Sequence, residues 1–491
     1  MLTRLEVDGF KNLIDVDVRF GPLTCVAGPN GVGKSNLFDA IGFLSALADR
    51  PFVDAARAVR AESGRGTDLA SLFHRAGTER AKEMHLAAEM IIPAEGADDL
   101  GQQARAAITF VRYELTLALE DDRHGARLVA RRESLSHINL SGAWRHLRFP
   151  HRKAWRDSIV HGRRASPLIS TSAADDGTVY VTLHQDLGKG ELGGGGPRMH
   201  VAHKLPRTVL SHASAAENAT AVLTRREMQS WRRLQLEPAA LRAPDTFAAA
   251  SSLAANGAHL PATLSRLTRR GAGSPTEEEQ ATAVYARIAH RLNDLGLGIR
   301  GLRVVADAGR ELLTLRLLDA EGAEHEAGVL SGGTLRFLAL AVLECDAEAG
   351  GLVCLEEPEN GIHPDRMPAL LDLLGDVAVD PTRPVADDNP LRQVIVNTHS
   401  PAVVREAPFD SVLIAVASPV PGDPLRVAPP RFRWLDGTWR VKADPEVAPV
   451  SPETAAIYID PLVHLRSDYP RSRRRAAAAP AAEAPQMSLP Y

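Results

Sequence analysis

Cysteine is scarce, with only Cys25, Cys345 and Cys354 in 491 residues. So few, so far apart, they support neither a disulfide framework nor a zinc site. Two of them fall in apolar runs that read as buried strands. Long apolar runs are also missing: the best stretch, Phe337 to Cys354, is broken by Glu344, Asp346 and Glu348. Met1 to Phe20 alternates charged with apolar residues, so the expectation is a cytoplasmic chain with no signal peptide and no membrane contact. Excess charge of one sign is absent too. A formal net charge of -4 argues against coating nucleic acid through bulk charge, and any DNA contact must be regional. There is no long heptad repeat of the kind that builds a coiled coil, and no Asp-x-Asp pair follows His399.

What is present is ordinary globular composition, 44% hydrophobic and 24% charged, enough to bury a large core in two or three structural units. Leu2 to Phe20 reads as a half-exposed hairpin and Leu23 to Ala27 as a short buried strand. Gly28 to Ser35 follows at once. Then Leu37, Ile41, Leu44 and Ala48 recur at helical spacing. From Glu83 to about Ser141 the text predicts an antiparallel β subdomain. Gly188 to Gly196 reads as an exposed loop, and Ser214 to about Leu295 as a helical insertion. Strand-like text resumes at Leu302, a long helix is predicted from Thr334, and Leu352 to Leu355 and Val394 to Val396 suit parallel strands covered on both faces. The expected division is 1–213, the first part of an α/β head; 214–296, the helical insertion; 297–418, the second part of the head; and 419–491, an extension disordered after about 470.

Four segments carry chemistry. Gly28-Pro29-Asn30-Gly31-Val32-Gly33-Lys34-Ser35 fits G-x-x-x-x-G-K-S: its glycines let backbone N–H groups wrap a phosphate, Lys34 reaches the β/γ oxygens and Ser35 ligates Mg²⁺. Asn30, Gly31, Gly33, Lys34, Ser35 and Asn36 are the candidate nucleotide-binding residues here. Glu356 and Glu357 close a buried strand, where a neighbouring phosphate loop would also open. Such a pair divides the labour, Glu356 holding the metal with Ser35 and Glu357 polarising water. Ser331, Gly332 and Gly333 open a helix and form a second anion nest just upstream of the acidic strand; alone, Ser-Gly-Gly would be a commonplace turn. His399 ends another buried strand, where it can bond a γ-phosphate or the water near it.

Together these segments resemble the ABC-type ATPases of the RecF, structural-maintenance-of-chromosomes and OLD group, most closely the bacterial AAA family ATPases of the AAA-21 type. The residues that carry the resemblance are Leu5 to Asn12, Gly28 to Leu37, Glu356 to Pro364 and Thr398 to Pro401. By resemblance, the fold is an α/β P-loop NTPase head with a parallel core sheet, an antiparallel β subdomain and a helical insertion. Gly28 to Ser35 match the Walker A loop, Glu356 the Walker B acid, Glu357 the catalytic carboxylate, Ser331 to Gly333 the signature and His399 the switch histidine. The resemblance implies ATP and Mg²⁺ as cofactors, and a homodimer or higher assembly in which one copy's signature closes over the other's nucleotide. A separate nuclease or effector is the expected partner, in genome defence; direct action on DNA, as in RecF, is the rival reading. Two departures stand out: no glutamine clearly matches the family's Q-loop, Gln102 and Gln103 being the candidates, and without a coiled coil long-range DNA bridging is not expected.

Two basic stretches stay open between a phosphate-backbone grip, a solvated face and a surface for an acidic partner. One is Arg145, Arg148, Arg152, Lys153, Arg156, Arg163 and Arg164 with Trp144 and Trp155. The other is Arg225, Arg226, Arg232 and Arg233 around Trp231. Arg471 to Arg475 falls in the expected tail.

Overall fold

The computed structural model describes residues 1–59, 68–122, 125–186, 197–269, 276–417, 419–420, 423–451 and 453–455. In chain order its main elements begin with strands β1 (Leu2–Asp8), β2 (Val16–Arg19) and β3 (Leu23–Ala27) and helix α1 (Lys34–Leu47). Strands β4 (Glu83–Ile91), β5 (Phe110–Asp122), β6 (Gly125–His137), β7 (Ile169–Ala173), β8 (Val179–Leu183) and β9 (Arg198–Val201) follow. After helix α2 (Ala219–Gln229) come β10 (Arg232–Leu234), α3 (Leu260–Arg269), α4 (Thr276–Asp294), β11 (Gly301–Asp307) and β12 (Leu312–Leu318). The last part holds α5 (Gly332–Cys345), β13 (Gly351–Glu356), α6 (Met367–Val377), β14 (Arg392–Thr398), β15 (Val412–Val416) and β16 (Arg431–Trp434).

A six-stranded sheet positions the site, in the order β10-β13-β14-β3-β15-β16. Every neighbouring pair in it is parallel except β15 with β16. Because side chains alternate across a strand, its apolar residues split by twos between two cores. Val26, Leu352, Cys354, Ile395 and Leu413 enter the core that contains α1. Cys25, Ala27, Val353, Leu355, Val394, Val396 and Ile414 enter the core that contains α5 and α6. That double coverage is why these runs are continuously apolar. Burial pushes the Cys25 thiol up to about 12 and the Cys354 thiol up as well, so both are inert packing residues.

Beyond α1 lies an eight-stranded antiparallel sheet, β9-β8-β7-β6-β5-β4-β1-β2. It is wider than expected from the sequence, gaining β1 and β2 on one side and β7, β8 and β9 on the other. Gln393, fully buried on β14, ties the two sheets: its amide exchanges hydrogen bonds with the backbone of Leu2, and its nitrogen also donates to Gly21 O.

Two strands fall in segments that the sequence assigned otherwise. The 214–296 segment contains helices α2, α3 and α4, but β10 within it joins the core sheet beside β13. In the 419–491 extension, β16 pairs with β15 at the opposite edge. The glycine-rich loop at 188–196 and the tail after 470 lie outside the described residues. Among the described residues, no helix is long and apolar enough to cross a membrane.

Candidate nucleotide site

Strand β3 ends at Ala27, and the chain turns through Gly28 to Gly33 into α1. Gly33 has φ +114°, and a Cβ there would stand 2.6 Å from Asn12 Nδ2. Only glycine suits both constraints. Asn12 holds the loop from outside, its Nδ2 donating to Val32 O (3.4 Å) and its Oδ1 accepting from Asn36 Nδ2 (2.8 Å). Asn30 and Gly31 are exposed at the loop's tip. Helix α1 begins without a side-chain cap or an acid in its first turn, so its N-terminal N–H groups and dipole remain available to an anion. Lys34 lies back across the loop, its Nζ donating to Gly28 O (2.7 Å) and Pro29 O (2.8 Å). Burial lowers its pKa, while Glu357, Glu356 and Glu359 pull the other way.

The acidic pair leaves β13, which is not adjacent to β3 as expected: β14 runs between them. Asn397 on β14 bridges the gap, its Nδ2 standing 3.3 Å from Ser35 Oγ and 3.1 Å from Glu356 Oε2. On its other side, Glu356 Oε1 lies 2.9 Å from an Arg233 nitrogen. That contact is an ion pair whose angles miss hydrogen-bond alignment, since both atoms are otherwise without a bonded partner. Arg233 also donates to Asp39 Oδ1 (2.6 Å), and Asp39 Oδ2 accepts from Lys11 Nζ (2.8 Å). A chain of alternating charge thus runs from the entry hairpin through α1 to the acid.

Glu357 sits in the left-handed region at φ +44°, a strained conformation for a non-glycine residue and one that clusters at functional sites. Its N–H donates to Asn397 O (2.9 Å). Its carboxylate accepts from Asn360 Nδ2 (2.8 Å) and from His399 Nδ1 (2.8 Å), which leaves the histidine's Nε2 outside that bond. Glu359 is buried, which raises its pKa, and it accepts a short hydrogen bond from Thr398 Oγ1. Thr398 Oγ1 in turn accepts from Ser400 N (3.0 Å), fixing the turn that carries His399.

Ser331 caps α5, its Oγ accepting from Thr334 N at 3.1 Å. Gly333 packs against Gly361, where a Cβ would come within 2.1 Å of the Gly361 carbonyl oxygen, and Gly332 packs against Pro238. Arg336 of the same helix donates to Asn360 O (2.6 Å), tying this loop to the turn after Glu357. Within one chain, then, Ser331 to Gly333 neighbour Pro238 and Gly361, whereas the phosphate loop neighbours Asn12, Ala415 and Pro430. The structure brings Lys34, Ser35, Glu356, Glu357 and His399 to the ends of three consecutive parallel strands, with the second nest packed against the turn that follows Glu357.

Gln102 and Gln103 are exposed beside the ribbon Glu95–Ala97/Gln103–Arg105, which packs on α2, and neither enters this site. The basic cluster around Trp231 is consumed internally. Arg225 is buried on Ser211 O and Asp99, Arg226 bonds Ala97 O, and Arg232 is largely buried. With Arg233 committed to Asp39 and Glu356, that cluster offers no phosphate grip. In the other stretch Trp155 is buried, Arg164 is paired with Asp186 at 3.0 Å, and Arg148 bonds Lys442 O. Arg145, Arg152, Lys153 and Arg163 remain exposed, with Arg145 over the Trp144 ring. An open concavity of about 670 Å³ lies over the antiparallel sheet between Arg132, Ser134 and Ser170, and none of the site residues lines it.

A glycine-rich loop leading into a helix and two carboxylates, one of them strained, at the ends of β3 and β13 define a P-loop nucleotide-binding head. The family described as "AAA domain, putative AbiEii toxin, Type IV TA system" matches residues 23–89 and 224–405, just over half of the chain. The chain belongs to that family, within the ABC-type ATPases of the RecF, structural-maintenance-of-chromosomes and OLD group. Short stretches are 51% identical to a DNA replication and repair protein RecF of Magnetococcus marinus, over 45 residues, and to an OLD nuclease of Thermus scotoductus, over 41. Those stretches cover 9% and 8% of this chain and only 12% and 8% of the two relatives. Among solved structures, an Smc head bound to the C-winged helix domain of ScpA aligns at 15% identity and TM-score 0.45, covering 88% of this chain and 97% of that one. The Smc head domain of Thermotoga maritima aligns at 14% identity and TM-score 0.34, covering 87% and 98%. The fold assignment rests on the strand order itself.

Proposed function

We propose that the chain is a cytoplasmic ATP-driven switch: it binds Mg-ATP, hydrolyses it between two head-to-tail copies, and thereby controls a separate effector in genome defence. The observation that carries this reading is the convergence of Ser35, Glu356, Glu357 and His399 around Asn397 at the ends of β3, β13 and β14. The donor set fits a hard cation, since Ser35 Oγ and Glu356 Oε2 both stand within 3.3 Å of the same atom, Asn397 Nδ2. Ser35 and Glu356 would hold Mg²⁺, which supplies positive charge against the β/γ-phosphate oxygens.

Backbone N–H groups of the loop receive the phosphates, and Lys34 leaves the Gly28 and Pro29 carbonyls to meet them. Glu357 takes the proton of the attacking water. His399 orients Glu357 through Nδ1 and turns its other nitrogen toward the γ-phosphate. The second nest, at Ser331 to Gly333, serves a nucleotide held by another copy, because one nucleotide does not need both.

Replacing Lys34 with Ala tests the loop assignment. Charge-assisted hydrogen bonds contribute about 1.5–3 kcal/mol each, so affinity for a labelled ATP analogue should fall on the order of 100-fold. Equilibrium binding measures it, and wild-type affinity in the variant would remove Gly28 to Ser35 from the site.

A further inference from the structure

Asn397 is the side chain through which the phosphate loop and the acidic strand touch. It is 3% exposed, and its Nδ2 reaches both Ser35 Oγ and Glu356 Oε2 while its Oδ1 is buried with no hydrogen-bond partner. A carboxamide can present either its nitrogen or its oxygen to a given point, and the charge at that point chooses. Here the chooser is a carboxylate, which attracts the NH₂ group and repels the oxygen. A divalent cation between Ser35 and Glu356 reverses that choice, because an N–H donor cannot face it and an amide oxygen is one of its preferred ligands.

We propose that Asn397 is a further member of the cation shell, its carboxamide turning over on metal binding so that Oδ1 faces the ion directly or through a water. This deepens the reading above and rests on it. The backbone suits the role: Asn397 is paired with Glu356 on one side and Val26 on the other, and its carbonyl receives Glu357 N. Only the side-chain torsion has to change. Arg233 stays on Glu356 Oε1 and Asp39, which keeps the acid's other oxygen directed at the shared point.

The test is a Mn²⁺ titration of binding of a non-hydrolysable ATP analogue, with bound Mn²⁺ followed by paramagnetic resonance so that turnover plays no part. Outer partners of a metal commonly change its affinity 10- to 100-fold. Asn397→Leu should therefore raise the Mn²⁺ midpoint about tenfold or more, measured against the variant's own metal-free analogue binding. Asn397→Asp, which keeps an oxygen but loses the donor, should hold the midpoint at or below that of the wild type. If Asn397→Leu matches the wild type, or Asn397→Asp fails as badly as Leu, the residue only packs and the inference is wrong. Ser35→Ala separates the two levels: it must raise the midpoint, and if it does not, the metal-site reading falls and takes this inference with it.

Discussion

Glu133, on β6, is a carboxylate with no access to solvent: its Oε1 accepts from Leu210 N (2.9 Å) and the Tyr113 hydroxyl (3.2 Å), its Oε2 from Val209 N (2.7 Å). Burial pushes its pKa up from 4.5 to about 7 against those three donors. A folded-state pKa above the unfolded one means that the group's contribution to stability is fully present below pH 4.5 and is lost as the pH rises through about 7. Glu133→Gln removes the titration and sets an NH₂ group against a backbone N–H donor. The wild type should melt above the variant, with a gap that narrows as the pH rises from about 5 to 7.5. Melting curves that stay parallel across that window would show that Glu133 keeps one protonation state throughout.

At the same scale, the reading of the site from sequence was uneven. Lys34, Ser35, Glu356, Glu357 and His399 were legible because each sits in a short contiguous pattern whose chemistry is local. Asn397 and Arg233 were not. Asn397 lies 362 positions from Ser35 and 41 from Glu356, and Arg233 lies 194 from Asp39, so pairing them requires the strand order. Arg233 also looked like one of several surface cations, since a run of arginines does not reveal which of them meet carboxylates. The asparagine in the run from Val394 to Pro401 was the available signal, a polar side chain directly after the apolar Val394-Ile395-Val396.

Among elements, α1 also carries a buried charge network through Asp39. Asp39, 2% exposed at its side chain, holds Lys11 of the entry turn on one oxygen and Arg233 of β10 on the other. Removing one member of a buried charge network leaves the others uncompensated. Asp39→Asn should cost about 2 kcal/mol, below the roughly 3–5 kcal/mol of a fully buried pair because the two cations keep some solvent. Urea unfolding measures it; a loss under about 0.5 kcal/mol would mean that water replaces the carboxylate at little cost. The core strands β3, β13 and β14 were readable as continuous apolar runs, since both faces are covered. The edge strands were not: Arg232-Arg233-Leu234 and Arg431-Phe432-Arg433-Trp434 carry arginines among their apolar residues, and what makes them strands is the neighbour each one pairs with.

At the scale of the whole molecule, the chain has one phosphate loop and, on different neighbours, a second nest at the start of α5. A composite site requires two copies, each closing its Ser331 to Gly333 over the nucleotide of the other. Glu357 should be needed for hydrolysis and not for binding, so Glu357→Gln, which keeps the size and removes the base, should trap ATP. The most direct test is light scattering of Glu357→Gln, alone and with Ser331→Arg added, with and without Mg-ATP. A composite site predicts an ATP-dependent dimer or larger assembly for Glu357→Gln, and its loss when the arginine blocks the nest. An assembly indifferent to both ATP and Ser331→Arg, or wild-type hydrolysis by Glu357→Gln, would contradict the composite site.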